Sequence, residues 1–138
     1  MSLLAQFSSL PGYAERYEYL VEIGRTLMPL TSAEKTELNT ISGCTSKVWC
    51  VAQLENSDII RIRAESRSQI INGMLALLVD ELDGLTPLQI LAFDEKKLMQ
   101  AGVFAVLTPT RANGLSAVLR YLKITATVYH HQNNNERV

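Results

Sequence analysis

Residues 67–82 constrain the fold more than any other stretch. Ile70, Ile71, Met74, Leu75, Leu77, Leu78, Val79 and Leu82 make a helix here apolar on almost every side. A helix apolar all round is either buried or membrane-spanning. This one is shorter than the roughly 20 residues that cross a bilayer. It is therefore expected at the centre of the core, with the rest of the chain wrapped around it. Ser66-Arg67-Ser68-Gln69 reads as its capping box, with Ser66 at the cap and Gln69 three residues on. Gly73 costs about 1 kcal/mol relative to alanine inside a helix. Close approach of another element would explain its use.

Two strands precede that helix. In the first, Val48, Cys50, Ala52 and Leu54 share one face, while Lys47, Trp49, Val51 and Gln53 share the other. In the second, Ile60, Ile62 and Ala64 alternate with Arg61, Arg63 and Glu65. Glu55-Asn56-Ser57-Asp58 between them is turn material, so an antiparallel hairpin is expected. An added strand at 39–42 carries a weaker signal. Upstream, Tyr13, Tyr17, Leu20, Val21, Gly24 and Leu27 form the apolar stripe of a helix over residues 12–28, started by Pro11-Gly12 and ended by Pro29. Residues 30–40 are polar and read as a surface connection with a helical turn near 33–38.

Downstream, Asp83-Gly84 breaks the apolar helix, and Thr86-Pro87 caps and opens a short one. Asp94 caps a further turn or two over 95–100. Thr108-Pro109 opens the last helix, striped by Leu115, Val118, Leu119, Leu122, Ala126 and Tyr129. The fold class is α+β, a short antiparallel sheet packed against helices with a helix at each end. At 138 residues the chain reads as a single domain over 1–138. Residues 1–10 and the polar tail 130–138 are expected to be frayed.

The charge balance, 13 basic residues against 14 acidic, provides no basic field, which argues against nucleic acid as partner. No apolar run spans a membrane, and the first residues lack the layout of a signal peptide. The expected setting is a reducing cytoplasm.

Two cysteines are present, Cys44 and Cys50. Held along one strand, their Cα atoms would stand about 20 Å apart, beyond the reach of a disulfide. Cys50 falls mid-strand on the core face and reads as a small core residue. Cys44 sits in Ile41-Ser42-Gly43-Cys44-Thr45-Ser46-Lys47, a loop of small residues at the mouth of a strand. Gly43 permits positive φ and can lift the thiol to a loop tip. Lys47 could favour thiolate over thiol. Local context leaves two readings open, a presented nucleophile and a spare small residue. Trp49 faces away from the core side, with packing as its default role. Arg111 lies in the first turn of the last helix, where the macrodipole favours acids. It reads either as a solvated side chain or as a cation aimed at an anion such as a thiolate or persulfide. His130 and His131, adjacent near the chain end, lack the paired spacing of a structural zinc site, so no metal is expected. They are also poorly placed to act as the base of a Cys44 dyad.

Three segments carry a resemblance to the SufE family, over roughly residues 13–123. They are Tyr17-Glu18-Tyr19-Leu20-Val21-Glu22-Ile23-Gly24, then Gly43-Cys44-Thr45-Ser46-Lys47-Val48-Trp49, the most specific, then Leu107-Thr108-Pro109-Thr110-Arg111-Ala112-Asn113-Gly114-Leu115. The resemblance implies an α+β fold like that of the scaffold protein of the parallel cluster-assembly system. It implies that Cys44 accepts sulfane sulfur from a pyridoxal-phosphate-dependent cysteine desulfurase, stimulates that enzyme, and passes the sulfur to an iron–sulfur scaffold or other acceptor. Gly43, Ser46, Lys47, Trp49 and Arg111 would support the acceptor. No cofactor of its own is implied. Cys50 departs from the aliphatic residue usual in the family, and the Asn-rich tail has no family counterpart. Two rival readings remain, a non-catalytic protein-binding module with an incidental Cys44, and an iron–sulfur scaffold. Scaffolds of this fold use three cysteines, against two here.

Overall fold

The computed structural model describes residues 1–43 and 46–136. Cys44, Thr45, Arg137 and Val138 lie outside the described residues. Among the described residues, six α-helices and one two-stranded antiparallel sheet make up an α+β fold.

Helix α3 (Gln69–Leu82) is the central element. Nine of its residues are buried, from Ile70 to Leu82, and it touches α1 (Leu3–Ser9), α2 (Tyr13–Gly24), strand β2 (Ile59–Ser66) and α6 (Pro109–Glu136). The all-round apolar sequence at 70–82 is thus answered by neighbours on every side. Gly73 marks the crossing with α2. A Cβ there would stand 2.5 Å from the Leu20 carbonyl carbon and 2.7 Å from the Leu20 Cβ. Gly24 faces the same crossing, where a Cβ would lie 2.7 Å from the Gly73 amide nitrogen. Two glycines let the helix backbones nearly touch. The expected close approach is found, and α2 ends at Gly24, well short of residue 28.

The cap of α3 is Ser68, not Ser66. The Ser68 hydroxyl accepts from the Ile71 N–H at 3.4 Å. Ser66 ends β2, where its buried hydroxyl donates to the Lys47 carbonyl at 2.8 Å and accepts from the Ser68 N–H at 3.1 Å. The sheet retains Ser66 because that hydroxyl ties both strand ends together. Ser68→Ala is expected to cost about 1 kcal/mol, the usual value of an N-cap, read as a lower urea midpoint at unchanged m-value.

Strand β1 (Val48–Glu55) pairs with β2 in the register Cys50↔Ala64 and Val51↔Arg63. Asn56 and Ser57 both adopt positive φ, 56° and 68°, and the Asp58 N–H returns to the Glu55 carbonyl. This is the mirror-image turn whose twist suits a hairpin. Val48, Cys50, Ile60, Ile62 and Ala64 point into the main core. Trp49, Val51 and Leu30 form a small second core on the opposite face.

Residues 30–40 cover that second face as irregular turns. Leu30 is buried, and its N–H donates to Glu65 at 2.9 Å. Burial raises the Glu65 carboxyl, but the Lys35 ammonium at 2.5 Å and that N–H outweigh it, and the net displacement is downward. Arg63 pairs with Glu34. That hydrogen bond and the Thr31 N–H hold the Glu34 carboxyl down to about 2. A carboxyl depressed by folding stabilises the fold above its ordinary value near 4.5 and loses that contribution as pH falls toward 2. Glu34→Gln is therefore expected to lower the urea midpoint near neutrality and to leave it unchanged near pH 2.

Helices occupy both ends of the described chain. Residues 3–9 form α1, capped by the Ser2 hydroxyl, with Leu4 and Phe7 buried. The Leu3 N–H donates to Asp80 of α3 at 2.9 Å. Helix α6 continues to Glu136, and the Asn133 side chain donates to the Ser57 carbonyl at the hairpin tip. One side of the fold is completed by α4 (Pro87–Ala92), α5 (Lys96–Gln100) and a 3-10 turn (Phe104–Val106). Thr86 and Gln89 close a full capping box on α4.

Candidate functional site

The loop that carries the sequence motif is closed at its base. The Ile41 N–H donates to the Val48 carbonyl at 2.9 Å, and the Cys50 N–H donates to the Asn39 carbonyl at 2.9 Å. Residues 39–41 thus lie against β1, with Thr40 opposite Trp49 in an isolated bridge. The weakly signalled strand at 39–42 is reduced to this bridge. Ile41 and Val48 are buried and anchor the two ends of the loop from below. Above them Ser42 and Gly43 are exposed, Ser46 is half-buried and Lys47 is exposed. Cys44 and Thr45 lie outside the described residues.

Gly43 has φ +92°, the left-handed region that glycine enters without strain. It rests on α6, where an added Cβ would meet the Ala117 Cβ at 3.4 Å. Ser42, Ile41 and Thr40 face Ala117, Arg120 and Tyr121 across a cleft of about 260 Å3. Nothing in the sequence singles out this wall. Ala117 and Arg120 flank the apolar stripe of α6 and carry no local sign of what they meet. Only the tertiary fold brings them to the loop.

The Lys47 ammonium lies 3.7 Å from the Glu37 carboxylate and 5.9 Å from the Trp49 ring centre. Lys35 and Arg67 also stand over that ring, each at 5.6 Å. Trp49 itself is nearly buried and covers the far face of the sheet. The residue types at 35, 47, 49 and 67 give no hint of this convergence.

Arg111 sits half-buried in the first turn of α6, its N–H donating to the Thr108 hydroxyl at 3.3 Å. Six residues separate it from Ala117, a rise of about 9 Å along the helix. No described hydrogen bond or ion pair joins it to Gly43, Ser46, Lys47 or Trp49.

Cys50 is wholly buried, and desolvation pushes its thiol up to about 12. It is the core residue expected. Its neighbour Tyr121 is also raised, first by burial and then by Cys50. His130 and His131 lie with ring centres 6.4 Å apart. His130 borders a cleft with Ser57, Asp58, Thr86 and Leu88 at the hairpin tip. About 20 Å of helix rise separates Ala117 from His130, so the histidines belong to the opposite end of α6 from the loop. Among the described residues no group of three or more His, Cys, Asp or Glu could hold a metal ion.

The fold is α+β, with residues 39–41 lying against β1 and Gly43 resting on α6, and the comparisons set it in iron–sulfur metabolism. The model of the SufE Fe–S metabolism associated domain matches residues 1–126, and the chain belongs to the SufE family. The solution structure of a hypothetical protein from Thermus thermophilus is similar in fold. It has a TM-score of 0.78 at 23% identity, covering 93% of each chain. No described helix is long and apolar enough to cross a membrane.

Proposed function

We propose that the protein is a sulfur acceptor for a pyridoxal-phosphate-dependent cysteine desulfurase, with Cys44 as the acceptor. The observation that carries this is the contrast between its two cysteines. Cys50 is wholly buried with its thiol pushed up to about 12, so it is neither reachable nor ionised. Cys44 follows an exposed glycine in a loop whose base is hydrogen-bonded shut. Family membership supplies the iron–sulfur context.

The step is thiolate attack on a sulfur–sulfur bond, the same class as thiol–disulfide exchange. The Cys44 thiolate attacks the outer, sulfane sulfur of the donor persulfide. One S–S bond forms on Cys44 as one breaks on the donor. The donor cysteine leaves as thiolate, and Cys44 becomes the persulfide. No net oxidant, metal or acid/base pair is needed. Removing the persulfide from the desulfurase frees it for its next turnover, which is how an acceptor stimulates its donor. A second transfer of the same kind would hand the sulfur to a cluster scaffold or other acceptor. The setting proposed is the cytoplasm, whose reducing poise keeps such a thiol free.

The test is intact-mass measurement after incubation with cysteine and each candidate desulfurase. A gain of one sulfur per chain is expected with the cognate donor, together with faster release of alanine from cysteine. No gain with any donor would favour a non-catalytic binding module. A stable cluster chromophore after anaerobic reconstitution with iron and sulfide would favour a scaffold.

A further inference from the structure

Leu38 is 91% exposed, as bare as the first methionine of the chain. It does not project from a loose segment. The Asn39 N–H donates to the Thr36 carbonyl, and the Thr40 N–H to the Glu37 carbonyl. The Thr40 hydroxyl donates to the Thr36 carbonyl at 2.8 Å, and the Asn39 side chain to the Glu34 carbonyl at 2.8 Å. The Asn39 carbonyl in turn accepts from the Cys50 N–H of β1. A turn fastened by these five bonds holds a leucine out in water, where it adds nothing to the core. We propose that residues 36–40 are a docking surface for the donor desulfurase, with Leu38 as the apolar anchor and the exposed cations Lys47 and Arg67 as its rim. The surface that fits is an apolar pocket bordered by carboxylates. The inference rests on the acceptor reading above.

Charge argues for that partner. Trp49 lies opposite Thr40, and Lys35, Lys47 and Arg67 gather over its ring. Among the described ion pairs on this face, Glu34 is taken by Arg63 and Glu65 by Lys35. Glu37 answers Lys47 across 3.7 Å. Arg67 is exposed and makes no hydrogen bond or ion pair with a described residue. The face therefore carries an unanswered positive charge on a chain of formal net charge −1. Carboxylates on a partner complement it and steer the encounter. A nucleic acid would answer the cations but leave Leu38 without a use.

Continuity argues for it too. The Cys50–Asn39 and Ile41–Val48 bonds join the turn to the stem of the motif loop. A partner seated on Leu38 thus bears on the segment that the acceptor reading assigns to transfer. One apolar anchor inside a charged rim is also how binding energy is commonly distributed in protein interfaces.

The test measures binding of the chain to each candidate desulfurase, with association and dissociation rates at low and high salt. Leu38→Ser is expected to raise Kd about tenfold or more, chiefly through faster dissociation. Its urea midpoint should not move, because the leucine is not buried. Arg67→Gln should slow association several-fold at low salt and have little effect at high salt. Leu88→Ser, at the exposed leucine beside the hairpin tip, should change neither rate. Unchanged binding by both Leu38→Ser and Arg67→Gln overturns the proposal. So does an equal loss in Leu88→Ser, which would mark general stickiness. So does a dimer of the chain that Leu38→Ser abolishes, which would make the turn a contact between two copies. Sulfur loading separates the two readings. Normal loading with unchanged Kd removes the docking surface alone. Weakened binding of Leu38→Ser to an enzyme that never loads the unaltered chain removes the transfer reading and leaves the surface. An unaltered chain that binds no desulfurase overturns both.

Discussion

Gly73→Ala is expected to cost about 3 kcal/mol or more, although the same change in an open helix would gain about 1 kcal/mol from propensity. The sign reverses because of what the new methyl meets. It would stand 2.5 Å from the Leu20 carbonyl carbon, and a backbone group cannot swing aside as a side chain can. Relief requires α2 to move off α3, which opens the contact between the two elements that carry Leu20, Ile23, Ile70, Met74 and Leu77 into the core. The measurement is urea or thermal unfolding. For a chain of this size the melting temperature should fall by roughly 10 °C. Gly24→Ala probes the same crossing from the other helix, and its cost should not add to that of Gly73→Ala, because the second methyl enters a gap the first has already forced. Full additivity, or a stabilised Gly73→Ala, would show that the helices do not meet here.

Cys44→Ser is expected to abolish sulfur uptake outright, while Cys50→Ala leaves it intact. A serine hydroxyl is not ionised near neutrality and forms no lasting bond to sulfane sulfur. Cys50 loses nothing the transfer uses, since it is wholly buried and desolvation pushes its thiol up to about 12, so it stays protonated at neutral pH. Alanine is the informative replacement at this position. Serine would bury a hydroxyl in the core, a cost of about 1–3 kcal/mol that would confuse lost stability with lost chemistry. Intact mass after exposure to donor enzyme reads both variants, with near-UV circular dichroism confirming the fold. Sulfur retained by Cys44→Ser, or lost equally from a folded Cys50→Ala, would reverse the assignment of the two cysteines.

The parts of the fold that are legible in the sequence are those set by local periodicity. The alternation of Ile60, Ile62 and Ala64 with Arg61, Arg63 and Glu65 gives the strand and its core face directly. The apolar run at 70–82 gives the central helix, and the lone glycine within it gives a crossing without saying with which partner. Where sequence and structure differ, similar residues compete for one role. Ser66 and Ser68 both suit a cap, and only the Lys47 carbonyl decides that Ser66 serves the sheet. Helix α1 is too short for a periodic signal, and Leu4 and Phe7 become ordered because α3 offers them a surface. At the site, Gly43 and Cys50 are readable because backbone freedom and strand register are local properties. The wall formed by Ala117, Arg120 and Tyr121 is not, because it exists only where a loop and a helix more than 70 residues apart in the chain come together.

The convergence of Lys35, Lys47 and Arg67 on Trp49 has a practical consequence. Trp49 is the chain's sole tryptophan, nearly buried and bridged to Thr40 at the base of the motif loop. Indole emission depends on the charges beside the ring and on how much water reaches it. The protein thus carries a built-in optical reporter five residues from Cys44, the proposed acceptor, and docking of a desulfurase is expected to change its emission without a label.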